Sequence, residues 1–112
     1  MAQQKTMSHD WAANVKKYVP NANDTAIHGI VRHLGIALQS KDASFVACTD
    51  KAERDRVRDG FLKKKLGLAM SDTDLDRAIS DVCQTMHGDR DKPRVTFCYL
   101  LAEKYGKLSM FT

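Results

Sequence analysis

The chain has 112 residues, of which 43% are hydrophobic and 29% are charged, and it carries a formal net charge of +4. This length is typical of one domain with its own hydrophobic core, so no disulfide or metal is needed to hold the fold together. No apolar run approaches the roughly 18 residues that a membrane-spanning helix requires, and Met1 to Ser8 does not resemble a signal peptide. We therefore expect a soluble protein that is not exported and has no membrane partner.

The N-terminal region predicts a tail followed by a helix. Residues 1–8 are expected to be a mobile tail, and residues 9–112 a single helical domain. Ser8 is placed to cap a helix with one apolar stripe, and Pro20 is expected to end it. The stripe consists of Trp11, Val15 and Tyr18.

A second helix is predicted from Thr25 to about Ser40, with Asp24 as its N-cap. Its apolar positions recur at helical spacing through Gly29 and Gly35, although each glycine costs about 1 kcal/mol relative to alanine. We expect another helix to approach closely at these two glycines. Their spacing does not fit a dinucleotide-binding loop.

The middle of the chain carries a third helix. Lys41 to Thr49 fits either a short helix capped by Asp42 or an irregular segment, and of the two we predict the short helix. Asp50 and Glu53 resemble a capping box at the start of the third helix, and Gly67 is expected to end it. The predicted buried face consists of Val57, Phe61, Leu62 and Leu66.

The last third predicts two more helices. Ser71 starts a fourth, amphipathic helix that Gly88 is expected to end. Seven of the eight residues in Val95 to Ala102 are apolar, which is typical of a segment buried on all sides. Asp91 as a cap, Pro93 in the first turn and Gly106 at the end favour a helix over a strand there. After it, Leu108, Met110 and Phe111 are expected to fold back onto the body.

The predicted fold class is therefore all-α: a compact array of about five helices around a buried C-terminal helix. Three segments strengthen this prediction by a family resemblance. They are FLKKKLGL from Phe61, LDRAISDVCQTM from Leu75 and RVTFCYLLAEKYGK from Arg94. They resemble a family of short bacterial proteins, the domain-of-unknown-function family numbered 2853, over about Ile27 to Phe111. The resemblance implies a compact helical array and brings no activity, cofactor or site residue with it.

Three cysteines, Cys48, Cys83 and Cys98, lie in or near apolar runs without paired spacing. We expect buried, reduced thiols and a cytoplasmic location. Cys83 and His87 stand at i and i+4, but two ligands do not make a zinc site, so we predict no metal and no cofactor.

Basic residues are the candidate binding residues. Positions 51–65 hold seven basic and three acidic residues, whereas positions 71–82 hold one basic and four acidic ones. The candidate contacts to a phosphate or an acidic partner are Arg54, Arg58, Lys63, Lys64, Lys65, Arg90 and Lys92. Pairs such as Glu53 with Arg56, Asp55 with Arg58 and Asp59 with Lys63 are expected to neutralise part of this charge, which favours a solvated face.

The third and fourth helices also imitate a helix-turn-helix. The fourth helix carries Asp72, Asp74, Asp76 and Asp81, so the DNA backbone would repel it. Nucleic acid, if bound, is expected to be bound non-specifically by the third helix with Arg90, Lys92 and Arg94.

No set of residues converges on a catalytic arrangement, and an enzyme is the least favoured of three hypotheses. The sequence favours a non-catalytic interaction module whose partner is an unknown protein or another copy of the chain. The alternative is a weak, non-specific nucleic-acid binder that uses the basic face of the third helix.

Overall fold

The computed structural model describes residues 11–40 and 43–112. The predicted tail, the Ser8 cap and the Asp42 cap lie outside these residues. In the described part the chain is all-α apart from two paired two-residue strands. No helix within residues 11–40 and 43–112 has the length and apolar character needed to cross a membrane.

Helices α1 (Trp11–Tyr18) and α2 (Asp24–Leu34) occupy the N-terminal third. The N-cap of α2 is Asn23 rather than the predicted Asp24; its side chain accepts a hydrogen bond from the backbone N–H of Ala26 at 3.1 Å. Asp24 instead pairs with Lys16 at 2.8 Å. Two adjacent capping residues compete here, and the sequence alone did not decide between them.

The second helix ends earlier than predicted because Gly35 adopts a positive φ of 33°. A 3₁₀ helix, Gly35–Gln39, follows it. Among the described residues, none beyond its immediate chain neighbours lies within 4 Å of the place that a Cβ at Gly35 would take, so the predicted helix contact at this glycine is wrong. The residue ends the α-helix because glycine tolerates this backbone conformation.

The short helix predicted for Lys41 to Thr49 is wrong over its described part. Strand β1 (Phe45–Val46) pairs antiparallel with β2 (Lys92–Pro93), with Phe45 opposite Pro93. The backbone N–H of Arg94 donates to the carbonyl of Ser44 at 2.8 Å, and the guanidinium of Arg94 binds two further carbonyls nearby. These long-range partners take the carbonyls that a local helix would have used.

The third helix begins at the predicted Asp50 cap and has two parts. Helix α3 (Lys51–Arg56) continues as a π-helix, Val57–Lys65, and Gly67 with φ of 69° ends it as expected. The predicted apolar side is confirmed, since Val57, Phe61, Leu62 and Leu66 are all buried. The widened π turns were not predicted.

Helices α4 (Asp72–Thr85) and α5 (Arg94–Lys104) complete the core. Ser71 caps α4 by accepting from the N–H of Asp74 at 3.2 Å, as predicted. Seven of the eleven residues of α5 are buried, and α5 packs against α1, α2 and α4. The prediction of a buried C-terminal helix is confirmed, although Pro93 rather than Asp91 precedes its first turn.

The C-terminal 3₁₀ helix, Leu108–Phe111, folds back against α2 as predicted. Phe111 is buried, and its carbonyl oxygen occupies the place that a Cβ at Gly29 would need. Close approach at Gly29 is therefore confirmed, with a 3₁₀ helix as the neighbouring element.

Candidate functional site

An open groove of about 520 Å³ lies between the π-helix and the segment that follows α2. Its walls are mainly apolar, and three charged residues lie in it. The lining side chains that matter below are Leu34, Ala37, Val57, Phe61, Glu53, Arg56 and Arg94. The volume is in the range of sites that hold a small ligand or a few side chains of a partner.

Glu53 is the charged centre of the groove and is 7% exposed. Its carboxylate accepts two hydrogen bonds from Arg56, at 2.7 and 3.1 Å, and one from Nη2 of Arg94. The Nε of Arg94 also donates to the carbonyl of Ala43 at 2.6 Å. Two guanidinium groups thus surround one carboxylate, and the cluster carries a net charge of +1.

The position of Glu53 follows from the start of α3 and from one distant residue. Asp50 caps α3 by accepting a hydrogen bond from the N–H of Ala52 at 3.0 Å. The carboxylate of Glu53 can therefore extend away from the helix end. The predicted pair of Glu53 with Arg56 is confirmed. The expected capping-box role of Glu53 was incomplete, because its carboxylate also binds Arg94, which is 41 residues away.

His33 stands at the edge of the groove among aromatic rings. Its ring centroid is 6.1 Å from that of Phe61 and 6.0 Å from that of Phe111. Burial and the nearby charge of Lys65 lower the pKa of His33. The histidine is therefore held neutral to lower pH than a solvated histidine would be.

The predicted basic residues are in part neutralised within the domain. Arg58 donates to Asp59 at 2.9 Å and to Asp76 at 3.2 Å, and hydrogen bonding to Asp59 raises the pKa of its guanidinium. Lys63 pairs with Asp72 and with Asp59, and these contacts raise the pKa of Lys63. Arg58 and Lys63 are therefore brought together, but they lie on the acidic start of α4.

The other candidate basic residues point elsewhere. Arg54 donates to the carbonyl of Cys48 at 2.6 Å, and the Nζ of Lys65 lies 5.3 Å from the ring centroid of Phe111. Lys64 is exposed beside Asp55 and Asp59. Arg90 and Lys92 line a second cavity near β2, of about 580 Å³. The seven residues therefore have different local surroundings.

The cysteines correct one prediction. Cys48 and Cys83, which were expected to be reduced, form a disulfide between the segment after β1 and helix α4. Cys98 is the free, buried thiol that was expected, and burial raises its pKa to about 12. Because Cys83 is oxidised in this disulfide, it has no free thiol with which to bind a metal together with His87. The two cysteines are 35 residues apart, and no short spacing between cysteines in the sequence indicated that they would pair.

Within residues 11–40 and 43–112, no three His, Cys, Asp or Glu side chains are grouped as a metal site would need. Asp72 pairs with Arg58 and Lys63, and Asp76 pairs with Arg58. Asp74 lies 3.8 Å from Arg77. These aspartates act in ion pairs around the start of α4.

A comparison with protein families finds a match for this chain. A family model described as a protein of unknown function, DUF2853, matches residues 10–109. The chain belongs to the DUF2853 family. A comparison with curated proteins gives no match.

Sequence reasoning missed two features of this DUF2853 domain. One is Arg94, which was considered only as a phosphate contact and which lines the groove. The other is Ile36, which was not considered and lies outside the groove lining. Ile36 lies off the apolar face of the predicted second helix and is 83% exposed. A large apolar residue outside the buried face was the signal that could have indicated this surface.

Proposed function

We propose that this DUF2853 domain is a non-catalytic module that binds a segment of a partner protein in the groove beside the π-helix. The observation that carries the proposal is a pair of sequence neighbours: Ala37 lines the groove, and Ile36 next to it is a large apolar residue that is 83% exposed. Both belong to the 3₁₀ helix Gly35–Gln39. A small ligand would fill the groove and leave Ile36 in water, whereas a polypeptide can cover both.

The charges of the groove favour a particular partner. Glu53 neutralises only one of the two guanidinium groups that bind it, and the side chain of Arg56 is 66% exposed. An aspartate or glutamate on the partner would therefore gain from pairing with Arg56. The partner that fits is a segment with one or two large apolar side chains and an acidic residue next to them.

The π-helix supports a binding role for this wall. Helical turns with i+5 hydrogen bonding are rare in proteins, and those that occur are often found at functional sites. Val57, Gly60 and Phe61 all belong to the π-helix and line the groove. A conformation that is uncommon in helices is thus found beside the proposed contact surface.

Nucleic-acid binding by the basic face receives less support. Arg58 and Lys63 are paired with aspartates, and Lys65 packs against Phe111. Counterion release requires cations that are free to meet phosphates. The bacterial origin and the cytoplasmic location stay predictions, and the location loses the support that three reduced cysteines would have given.

Selection of peptides from a random displayed library on the immobilised full chain tests the proposal. We expect enriched peptides with an apolar anchor and an acidic residue. They should bind the wild type and Ala69→Arg equally, because Ala69 is exposed and outside the groove. They should lose most of their affinity for Ala37→Arg, which places a charge in the apolar wall.

Three results would contradict the proposal or redirect it. Enriched peptides that ignore Ala37→Arg would move the binding surface elsewhere. Dimers in sedimentation equilibrium that Ala37→Arg dissolves would make the partner a second copy of the chain. Binding of labelled RNA or DNA that weakens steeply with salt, and weakens again in Lys63→Gln, would favour the nucleic-acid alternative.

A further inference from the structure

Cys48 of the disulfide lines the second cavity, which shares Glu53 and Arg56 with the groove. This cavity of about 580 Å³ is open and is lined by Phe45 to Asp50 on one side and Arg90 to Lys92 on another. Cys48 is among the lining residues, whereas Cys83 is not. Cys48 therefore borders a space that a small molecule can enter.

The disulfide is peripheral to the core. Both cysteines are half-buried and pack against the edge of the core cluster without belonging to its buried residues. Neighbouring groups hold the same segment independently: Val46 is buried, and the carbonyl of Cys48 accepts from Arg54. Opening the bond would therefore release a short surface segment from α4 while the helical core stays packed.

We propose that the Cys48–Cys83 disulfide is a thiol–disulfide exchange site, at which a small thiol that enters the cavity attacks Cys48. The thiolate of the reductant forms a bond to Sγ of Cys48 while the bond between Cys48 and Cys83 breaks. Cys83 leaves as a thiolate and takes up a proton. A second thiol then attacks the reductant's sulfur in the mixed disulfide, which frees Cys48 and releases the oxidised reductant.

The exchange conserves both atoms and electrons. Two molecules of the small thiol are oxidised to one disulfide, and one protein disulfide is reduced to two thiols. Access selects the attacked sulfur, because exchange rates depend on which sulfur the nucleophile can reach. In reducing compartments, the disulfides that do form are usually transient and act in catalysis or redox sensing.

The test uses glutathione as the probe on the full chain. After incubation in glutathione buffers of graded redox ratio, the protein is quenched with acid, alkylated and mapped by mass spectrometry. We expect reversible reduction without denaturant, with circular dichroism showing native helix content in both forms. The mixed disulfide should form at Cys48 on the order of tenfold faster than at Cys83.

Two single variants keep the assignment falsifiable. In Cys83→Ser, oxidised glutathione should modify Cys48 readily; in Cys48→Ser, it should modify Cys83 slowly. Cys98 is the internal control and should stay unmodified in every folded sample, since its raised pKa of about 12 leaves little thiolate. Resistance of the native disulfide to glutathione, loss of helix on reduction, or adducts mainly at Cys83 would overturn the proposal.

Discussion

The hydroxyl of Tyr99 accepts a hydrogen bond from the backbone N–H of Asn23, with 2.9 Å between the two atoms. Tyr99 is 1% exposed in the middle of α5, and Asn23 is the N-cap of α2. The central helix thus fixes the start of its neighbour. We expect Tyr99→Phe to cost about 1 kcal/mol of unfolding free energy, because it leaves that N–H without its acceptor.

Urea unfolding followed by circular dichroism measures this loss. Tyr105→Phe is the matched control, since Tyr105 is half-buried at the end of α5 and its hydroxyl makes no hydrogen bond within the described chain. Equal stability of Tyr99→Phe and the wild type would show that the hydroxyl does not hold α2.

Gly29 provides a second prediction. Alanine at this position would place its Cβ on the carbonyl oxygen of Phe111, so the C-terminal 3₁₀ helix must move. We expect Gly29→Ala to destabilise the fold by about 1–3 kcal/mol. Gly60→Ala meets nothing within 4 Å and should be neutral or stabilising by up to about 1 kcal/mol.

Deleting residues 108–112 should remove most of the Gly29→Ala effect, because the clash then has no partner. A cost that persists in the shortened chain would mean that the alanine acts elsewhere.

Glu53 provides a third prediction. Glu53→Gln keeps the shape of the side chain but removes the charge that Arg56 and Arg94 share, so the guanidinium of Arg94, 15% exposed, loses its counter-ion. We expect a loss of about 2 kcal/mol in chemical denaturation. Glu103→Gln, on an exposed residue, should change stability by less than about 0.5 kcal/mol. Similar curves for the two variants would contradict the structural role of the Glu53 cluster.

Asp89 predicts a pH dependence. Burial opposes its charge, but hydrogen bonds from Lys17, Tyr18 and Asn14 outweigh this effect and lower the pKa of Asp89. A carboxylate whose pKa is lower in the folded state stabilises the fold above its unfolded pKa, and this stability is lost as pH falls through the folded pKa. Asp89→Asn should therefore cost about 1–3 kcal/mol near neutral pH and progressively less below about pH 4.

The measurement is the free energy of unfolding across that pH range for the wild type, Asp89→Asn and Asp91→Asn. Asp91 is exposed, so its variant should follow the wild-type curve. A constant gap between wild type and Asp89→Asn down to strongly acid pH would show that the charge of Asp89 is not the cause.

The helices could be predicted from sequence because their signals are local. The caps at Asp50 and Ser71 and the buried faces of the third and fourth helices depend on residues within a few turns of each other. The saturated apolar run in α5 likewise indicated a helix enclosed on all sides.

The features that sequence reasoning missed depend on distant partners. Strand β1 forms because Arg94 binds the carbonyls of residues about fifty positions earlier, and Cys48 meets Cys83 only after the core has formed. The groove is a product of both the early end of α2 at Gly35 and the widened π-helix. Periodicity describes one helix at a time and therefore could not assemble this site.

The most direct test of the central claim is an amide chemical-shift titration of the labelled full chain with a library-selected peptide. The account predicts that the largest changes fall on Ile36, Ala37, Gly60 and Phe61 and that Ala37→Arg abolishes them. Changes centred on Lys64 or the start of α4, and unaffected by Ala37→Arg, would contradict it.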